Sequence, residues 1–303
     1  MSIAVFGSIN MDLVVRTPHL PTVGETITGH DFFTAPGGKG ANQAVACARL
    51  GVKTRMVGRV GNDVFAGELL ESLHRNQVDV SGVFIDPEHP SGVALISVDD
   101  ASDNTIVVVP GANGEVELAD ISRLKGALDD AEVLLLQLEI PMETVLEAAR
   151  VAHRRGVTVV LDPAPAQPLP QELYQFSDFL TPNEVEAGLL VGFPIREKSD
   201  AKSASMVLLE RGADQVIIKM GSKGAYWSNG DSEELFPAYR VNAVDTVAAG
   251  DAFNGGLAAS LALGLPVRDA VSWGMAAGAL STTRQGAQPS MPDRQAVRKL
   301  LGK

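Results

Sequence analysis

Residues 133–138, Val-Leu-Leu-Leu-Gln-Leu, are apolar at every position but one. A short run without alternation fits a strand covered on both faces, as in a parallel sheet between two helical layers. The chain around it keeps that plan. A helix is expected over 141–155, a strand over 157–161, a proline-rich loop over 163–170 and a short strand over 178–181. Helices near 183–191 and 200–211 and a strand at 215–219 follow. The first part alternates in the same way, with a strand at 3–7, a helix at 39–50 stopped by Gly51, a strand at 55–60 and a helix at 63–75. Such alternation demands a doubly wound α/β fold, a mostly parallel sheet with helices on both faces. Asn229-Gly230 between β-like residues signals a hairpin. Segments 251–264 and 267–283 are rich in Gly, Ala and Ser and predict closely packed helices. No repeat, low-complexity tract or linker divides the sequence, so residues 1–303 read as one α/β domain.

One group of segments departs from the alternation. Residues 10–15 alternate as a strand, residues 26–34 are β-like, and Pro36-Gly37-Gly38 ends that pattern. Residues 91–98 and 104–109, joined by an acidic turn at 99–103 with no helix between them, predict an antiparallel hairpin. Together these segments, drawn from about 10–36 and 90–110, form a small second sheet apart from the main one. Asn10 and Asp12 share one strand face, with Ile9, Met11 and Leu13 on the other. A carboxylate and a carboxamide side by side can hold sugar hydroxyls, the first accepting and the second both donating and accepting. The same pair also suits a solvated strand face with an Asx turn.

Charge narrows the function classes. With 25 Lys and Arg against 37 Asp and Glu, the net charge is −12, which argues against nucleic-acid or anionic-membrane partners. No segment approaches the ~18 apolar residues of a membrane span. An anionic ligand such as ATP must therefore meet local cations, helix ends or metal ions. A single cysteine, Cys47, excludes an internal disulfide, and the N-terminus lacks a basic region and a long apolar run, so a cytoplasmic location is expected. There is no G-x-x-x-x-G-K-[ST] or G-x-G-x-x-G pattern, and the five histidines show no zinc-ligand spacing.

Three stretches carry candidate chemistry. Residues 245–256, Asp-Thr-Val-Ala-Ala-Gly-Asp-Ala-Phe-Asn-Gly-Gly, follow a β-like segment at 236–244 and open a helical run. The unpaired amides of a helix N-terminus suit an anion, and Ala248, Ala249 and Gly250 let a phosphate approach the backbone. Asp251 in the first turn would repel that phosphate, which makes sense if it handles a proton. A helix capped by Asp245 or Thr246, with glycines in a turn, is the other reading. In Pro182-Asn183-Glu184-Val185-Glu186, Asn183 and Glu186 can face one cleft at a strand end, either holding hydrated Mg²⁺ or capping a helix. Lys219-Met220-Gly221-Ser222-Lys223-Gly224 follows a strand, and Lys219 can act as a point charge on phosphate.

The 245–256 stretch resembles the C-terminal signature of the ribokinase-like carbohydrate kinase superfamily. The run Gly-Gly-Lys-Gly-Ala-Asn-Gln-Ala-Val-Ala at 37–46 resembles its N-terminal signature, in the form carried by ribokinases. The resemblance spans essentially the whole chain. It implies an ATP-dependent kinase that phosphorylates a primary hydroxyl of a pentose, ribose foremost, with deoxyribose, nucleoside or hexose kinases and a non-catalytic sugar sensor as alternatives. It implies that Asn10, Asp12, Gly38, Lys39, Asn42 and Glu139 hold the sugar, with Asp251 as catalytic base. Ala248, Ala249 and Gly250 would form the anion hole. Asn183, Lys219, Gly221, Gly224, Gly250 and Met275 would meet the nucleotide. Glu186 would serve Mg²⁺. Asp245, Val247, Ser281, Arg284, Gly286 and Ser290 would line a K⁺ site, mostly through carbonyl oxygens. Two departures stand out: Met275 where members commonly place Asn near the adenine, and Lys219 where they often place Thr. The small sheet is expected to act as a lid over the sugar and as a homodimer contact.

Overall fold

The computed structural model describes residues 1–101 and 103–303. Ser102, inside the acidic turn expected at 99–103, lies outside the described residues. The first third contains β1 (Ser2–Phe6), β2 (Asn10–Thr17), β3 (Asp31–Gly37), α1 (Lys39–Arg49), β4 (Lys53–Gly61), α2 (Ala66–Arg75), β5 (Val78–Asp86), β6 (Gly92–Asp99) and β7 (Asn104–Val109). The middle holds α3 (Ile121–Ala127), β8 (Ala131–Leu136), α4 (Met142–Arg154), β9 (Thr158–Leu161), α5 (Gln171–Gln175), β10 (Phe179–Leu180), α6 (Glu184–Val191) and α7 (Lys198–Glu210). The last part comprises β11 (Gln215–Lys219), β12 (Ala225–Ser228), β13 (Glu233–Phe236), α8 (Ala249–Ala262), α9 (Val267–Ser281) and α10 (Arg294–Leu300).

Among the described residues the strands form two sheets. The larger has nine strands in the order β13-β12-β11-β10-β9-β8-β1-β4-β5, parallel from β11 to β5, with β12 and β13 antiparallel at one edge. Its central strands are apolar on both faces because each face meets helices. In β1, Ile3 and Val5 join the core beneath α1, α8 and α9, while Ala4 and Phe6 join the core beneath α3, α4, α6 and α7. This is the α/β fold that the alternation demands.

The smaller sheet has the order β3-β2-β6-β7. β6 and β7 form the expected antiparallel hairpin, and β2 joins β6 in parallel, with Asp12 opposite Ala94 and Ala35. Leu95, Ile106, Val107, Val108 and Phe32 of this sheet are exposed.

Strand order places the crevice. From β1 the chain moves outward to β4 and β5, makes the hairpin, and returns to β8 on the other side of β1. In open α/β sheets, ligands bind outside the carboxyl ends of the strands at such a reversal. The residues that follow β1, β8, β9 and β10 therefore share one cleft.

Three expectations need correction, and one strand was not expected. Residues 236–244 are not a strand beyond Phe236: Pro237 lacks an N–H for the ladder, and the N–H groups of Val244 and Asp245 donate instead to Thr282 O near the end of α9, at 2.7 and 3.1 Å. Residues 26–30 are not a strand, because β2 ends at Thr17 before Pro18 and offers them no continuing partner. The strand expected at 133–138 is β8, which ends two residues earlier at Leu136, so Glu139 lies in the loop beyond it. β5 was not anticipated. It pairs with β4 alone at the sheet edge, and the polar Asp79 and Ser81 with Gly82 interrupt its apolar pattern.

Candidate active site

The start of α8 is unusual for a helix. Its N-cap, Ala248, is left-handed (φ 57°, ψ 16°), and no side chain caps the helix. A non-glycine residue in this conformation costs roughly 1–2 kcal/mol, a strain that clusters at functional sites. A left-handed residue followed by helical ones turns successive N–H groups toward one side, a concavity suited to an anion. The conventional cap by Asp245 or Thr246 does not form. Asp245 instead accepts from Val247 N (3.0 Å) and Gly286 N (2.9 Å), which ties the 245–247 segment to the 281–290 segment. Ser281 and Ser290 send their hydroxyl protons to Gly278 O and Ala287 O, leaving oxygen lone pairs free, while Arg284 N donates to Ser281 O.

Asp251, in the first turn of α8, is buried. Asn42 Nδ2 donates to one of its oxygens at 3.0 Å and Gln43 Nε2 to the other at 3.1 Å. α1 can deliver these adjacent side chains because Gly40 and its alanines let it lie close to β1 and α8; a Cβ on Gly255 of α8 would overlap Ala46. Burial raises the Asp251 pKa to about 6, with Asp162 adding to the rise, against lowering by Lys39 and the two amide donors.

The same Gln43 nitrogen donates to Asp162 Oδ2 at 3.0 Å, while Gln43 Oε1 accepts from Gln137 Nε2 at 2.6 Å. Asp162 Oδ1 in turn pairs with Lys219 Nζ at 2.9 Å. A Cβ built on Gly250 would stand 3.5 Å from that ammonium, so Lys219 sits at the mouth of α8. Lys39 is mostly buried, which works against its charge. Asp251, Asp162, Glu139 and Glu186 outweigh that and hold it firmly protonated.

On the lid side, the Asp12 carboxylate occupies the space where a Cβ on Gly37 would lie. Burial, with Glu139 and Asp251 nearby, raises its pKa to about 7. Glu139 accepts from Ser8 Oγ and from Lys39 N (3.2 Å). Gly38 has φ 87°, and a Cβ there would press on Asn10 N and Ser8 O, so this position requires glycine. Asn10 Oδ1 accepts from Asn113 Nδ2 at 2.7 Å. Asn42 Oδ1 is buried and, among the described residues, has no partner, leaving an acceptor free beside Asp251.

Asn183 and Glu186 form a reciprocal capping box at the start of α6. Glu186 Oε2 accepts from Asn183 N at 2.7 Å, and Oε1 from Asn183 Nδ2 at 2.8 Å. Capping does not remove Glu186 from the cleft. Burial raises its pKa, Lys219 and Lys39 lower it, and Asp162 raises it. Gly221 (φ 53°) and Gly224 (φ 101°) shape the turn after β11, where a Cβ on Gly224 would overlap Phe236 O. Met275 lies outside this polar network. It lines a cavity of about 340 Å³ with Phe236, Ala238, Tyr239 and Arg268, between the segment after β13 and α9. Gly278, three residues along α9, packs on Ala249 O.

Asp12, Lys39, Asn42, Glu139, Glu186, Lys219 and Asp251 thus converge on one cleft, although they come from distant parts of the sequence. Sequence reasoning missed Gln43, Asn113, Gln137 and Asp162. Asp162 had a usable signal, since it directly follows a central strand on the ligand side of the sheet. Gln43 sits beside a singled-out residue, but only the fold shows that it spans two carboxylates. Asn113 lies in a single 3-10 turn, Gly111–Glu115, too short for periodicity to mark it.

The cleft sets the uncapped start of α8 beside a buried carboxylate and two lysines, under a small sheet. Comparison with known proteins agrees with that chemistry. The model of the pfkB family carbohydrate kinases matches residues 1–294. A ribokinase of Haemophilus influenzae is 38% identical over 300 residues, covering 99% of this chain and 98% of that one. A deoxyribokinase of Salmonella typhi is 39% identical over 293 residues, covering 96% of each. The structure of Arabidopsis thaliana ribokinase complexed with ribose and ATP superposes with a TM-score of 0.91 at 32% identity, covering 100% of this chain and 99% of that one. The chain belongs to the pfkB family of carbohydrate kinases, phosphotransferases acting on a sugar hydroxyl.

Proposed function

We propose that the chain transfers the γ-phosphoryl group of ATP to the primary hydroxyl of ribose, giving ribose 5-phosphate. The carrying observation is Asp251, a buried carboxylate held by two amide donors at a helix start that turns its N–H groups outward. Phosphoryl transfer needs positioning and charge neutralisation more than covalent chemistry. Asn10, Asp12, Gly38, Lys39, Asn42 and Glu139 hold the sugar. Asp251 takes the proton of the attacking hydroxyl, and its raised pKa makes it a better base than an exposed aspartate. The amides of Ala248 and Gly250, with Lys219, face the transferring group, joined by that of Ala249 once it releases Thr246 O, to which it donates at 3.3 Å. Asn183, Gly221, Gly224 and Met275 contact the rest of the nucleotide, with Met275 offering the purine an apolar surface.

Two cations fit the residues present. Glu186 retains lone pairs beyond its bonds to Asn183 and lies near Asp162, a donor set suited to the waters of hydrated Mg²⁺. Mg²⁺, when bound, neutralises charge on the phosphate oxygens. The linked 245–247 and 281–290 segments suit K⁺ through carbonyl and hydroxyl oxygens of Asp245, Val247, Ser281, Arg284, Gly286 and Ser290. We further propose that residues 1–303 act as one kinase domain in the cytoplasm. Among the described residues, no helix is long and apolar enough to cross a membrane. Two copies pair through the small sheet, whose exposed Phe32, Leu95, Ile106 and Val107 need a cover.

Release of ADP from ATP and Mg²⁺ on adding ribose tests this directly. Turnover without sugar dependence would refute the reading. The similarity to a deoxyribokinase makes 2-deoxyribose the second candidate, separated from ribose by the same assay.

A further inference from the structure

We infer that Asn113, which the catalytic reading does not use, is a positioning residue that locks Asn10 as a hydrogen-bond donor toward the substrate. Asn113 is buried in the short 3-10 helix Gly111–Glu115 after β7, 104 residues from Ile9 in the chain. Its orientation follows from backbone groups whose polarity is unambiguous. Ile9 N can only donate, so the Asn113 atom 2.9 Å from it is Oδ1. Ile9 O can only accept, so the Asn113 atom 3.0 Å from it is Nδ2. That same Nδ2 lies 2.7 Å from the Asn10 side chain, which must present its oxygen there. An Asn10 nitrogen at that place would set two donors against each other.

The consequence is directional. With Asn10 Oδ1 consumed inward, the Nδ2 group is the end left for a ligand. Gly92 completes the arrangement. A Cβ there would overlap both Asn113 Nδ2 and Asn10 Oδ1, so glycine keeps the contact open. A free carboxamide can rotate to donate or accept; this one can only donate. Asp12, on the same face of β2, accepts when ionised. The pair therefore reads opposite ends of the hydroxyl pattern, Asn10 contacting an oxygen lone pair and Asp12 a hydroxyl proton.

This inference rests on the proposal that Asn10 holds the sugar, and a double-mutant cycle separates the two. Asn10→Ala is expected to raise the ribose KM by ~10-fold or more with the ATP KM little changed, as when a site loses a hydrogen bond to a substrate hydroxyl. An unchanged ribose KM would sink the sugar-site reading itself. Asn113→Asp still accepts from Ile9 N but can donate neither to Ile9 O nor to Asn10, whose amide then turns its nitrogen inward. We expect this variant to raise the ribose KM by a similar factor in the wild-type background and by less than about twofold in the Asn10→Ala background. Equal effects in both backgrounds, as a merely structural role would give, would overturn the inference. Asn10→Asp covers the case in which Asn113→Asp fails to fold. It still accepts from Asn113 but presents an acceptor to the ligand, so it should lose ribose as fully as Asn10→Ala. Retention of the wild-type ribose KM by Asn10→Asp would refute the donor assignment.

Discussion

Asp251→Asn separates catalysis from stability at one position. The raised pKa means that folding a charged Asp251 is unfavourable: a shift from 3.8 to about 6 corresponds to about 3 kcal/mol of lost stability at pH values where both states are ionised. The sign follows from proton binding. Above pH 6 the folded state carries the full cost. As pH falls through 6 the folded carboxyl takes up a proton, and by about pH 4 most of the cost has gone. An asparagine never bears the charge, but its single oxygen can satisfy only one of the donors Asn42 and Gln43. The other is left facing an amide nitrogen, at a cost of about 1–2 kcal/mol. The variant should therefore be about 1–2 kcal/mol more stable than wild type at pH 7.5, with the difference shrinking or reversing at pH 4. Urea unfolding at both pH values measures this. Its kcat should fall by at least ~100-fold, the scale for losing a general base. Wild-type kcat/KM should fall below about pH 6 as the base protonates. A variant that turns over within a few-fold of wild type would refute the base assignment. One destabilised equally at both pH values would refute the account of its buried charge.

Four further outcomes follow from the structure. With Asp12 near pKa 7, the sugar KM should rise as pH drops below 7, because the protonated carboxyl loses its acceptor role, and Asp12→Asn should flatten that dependence. The same residue should favour ribose over 2-deoxyribose by at least ~10-fold in kcat/KM, since a buried acceptor left without its hydroxyl is penalised; a ratio near one means that Asp12 does not read that hydroxyl. Activity should be higher with K⁺ than with Na⁺ as the only monovalent cation, and equal kcat and KM in sodium buffer would remove the K⁺ site. Sedimentation should show a dimer that Ile106→Asp weakens through charge on the exposed lid surface, whereas an unaltered dimer would place the interface elsewhere.

Some of this molecule was legible without coordinates. The unbroken apolar strands determined the parallel sheet and its two helical layers, since only burial on both faces accounts for Val133 to Leu136. The small, glycine-rich stretch at 245–256 located the uncapped start of α8, because small residues leave its backbone N–H groups open to approach. The missing helix between 91–98 and 104–109 separated a second sheet.

Sequence could not supply the pairings across distance. Pairing decided that 236–244 leaves the sheet, since an extended pattern becomes a strand only where a partner offers its backbone. Gln43 became a bridge between Asp251 and Asp162 only when α1, α8 and the end of β9 met. Local pattern treats Asn183 and Glu186 as a helix cap or as cleft residues, and the tertiary structure makes them both. The elevated pKa values of Asp12 and Asp251 belong wholly to that level, because desolvation and neighbouring charge arise from groups that the chain brings together only on folding.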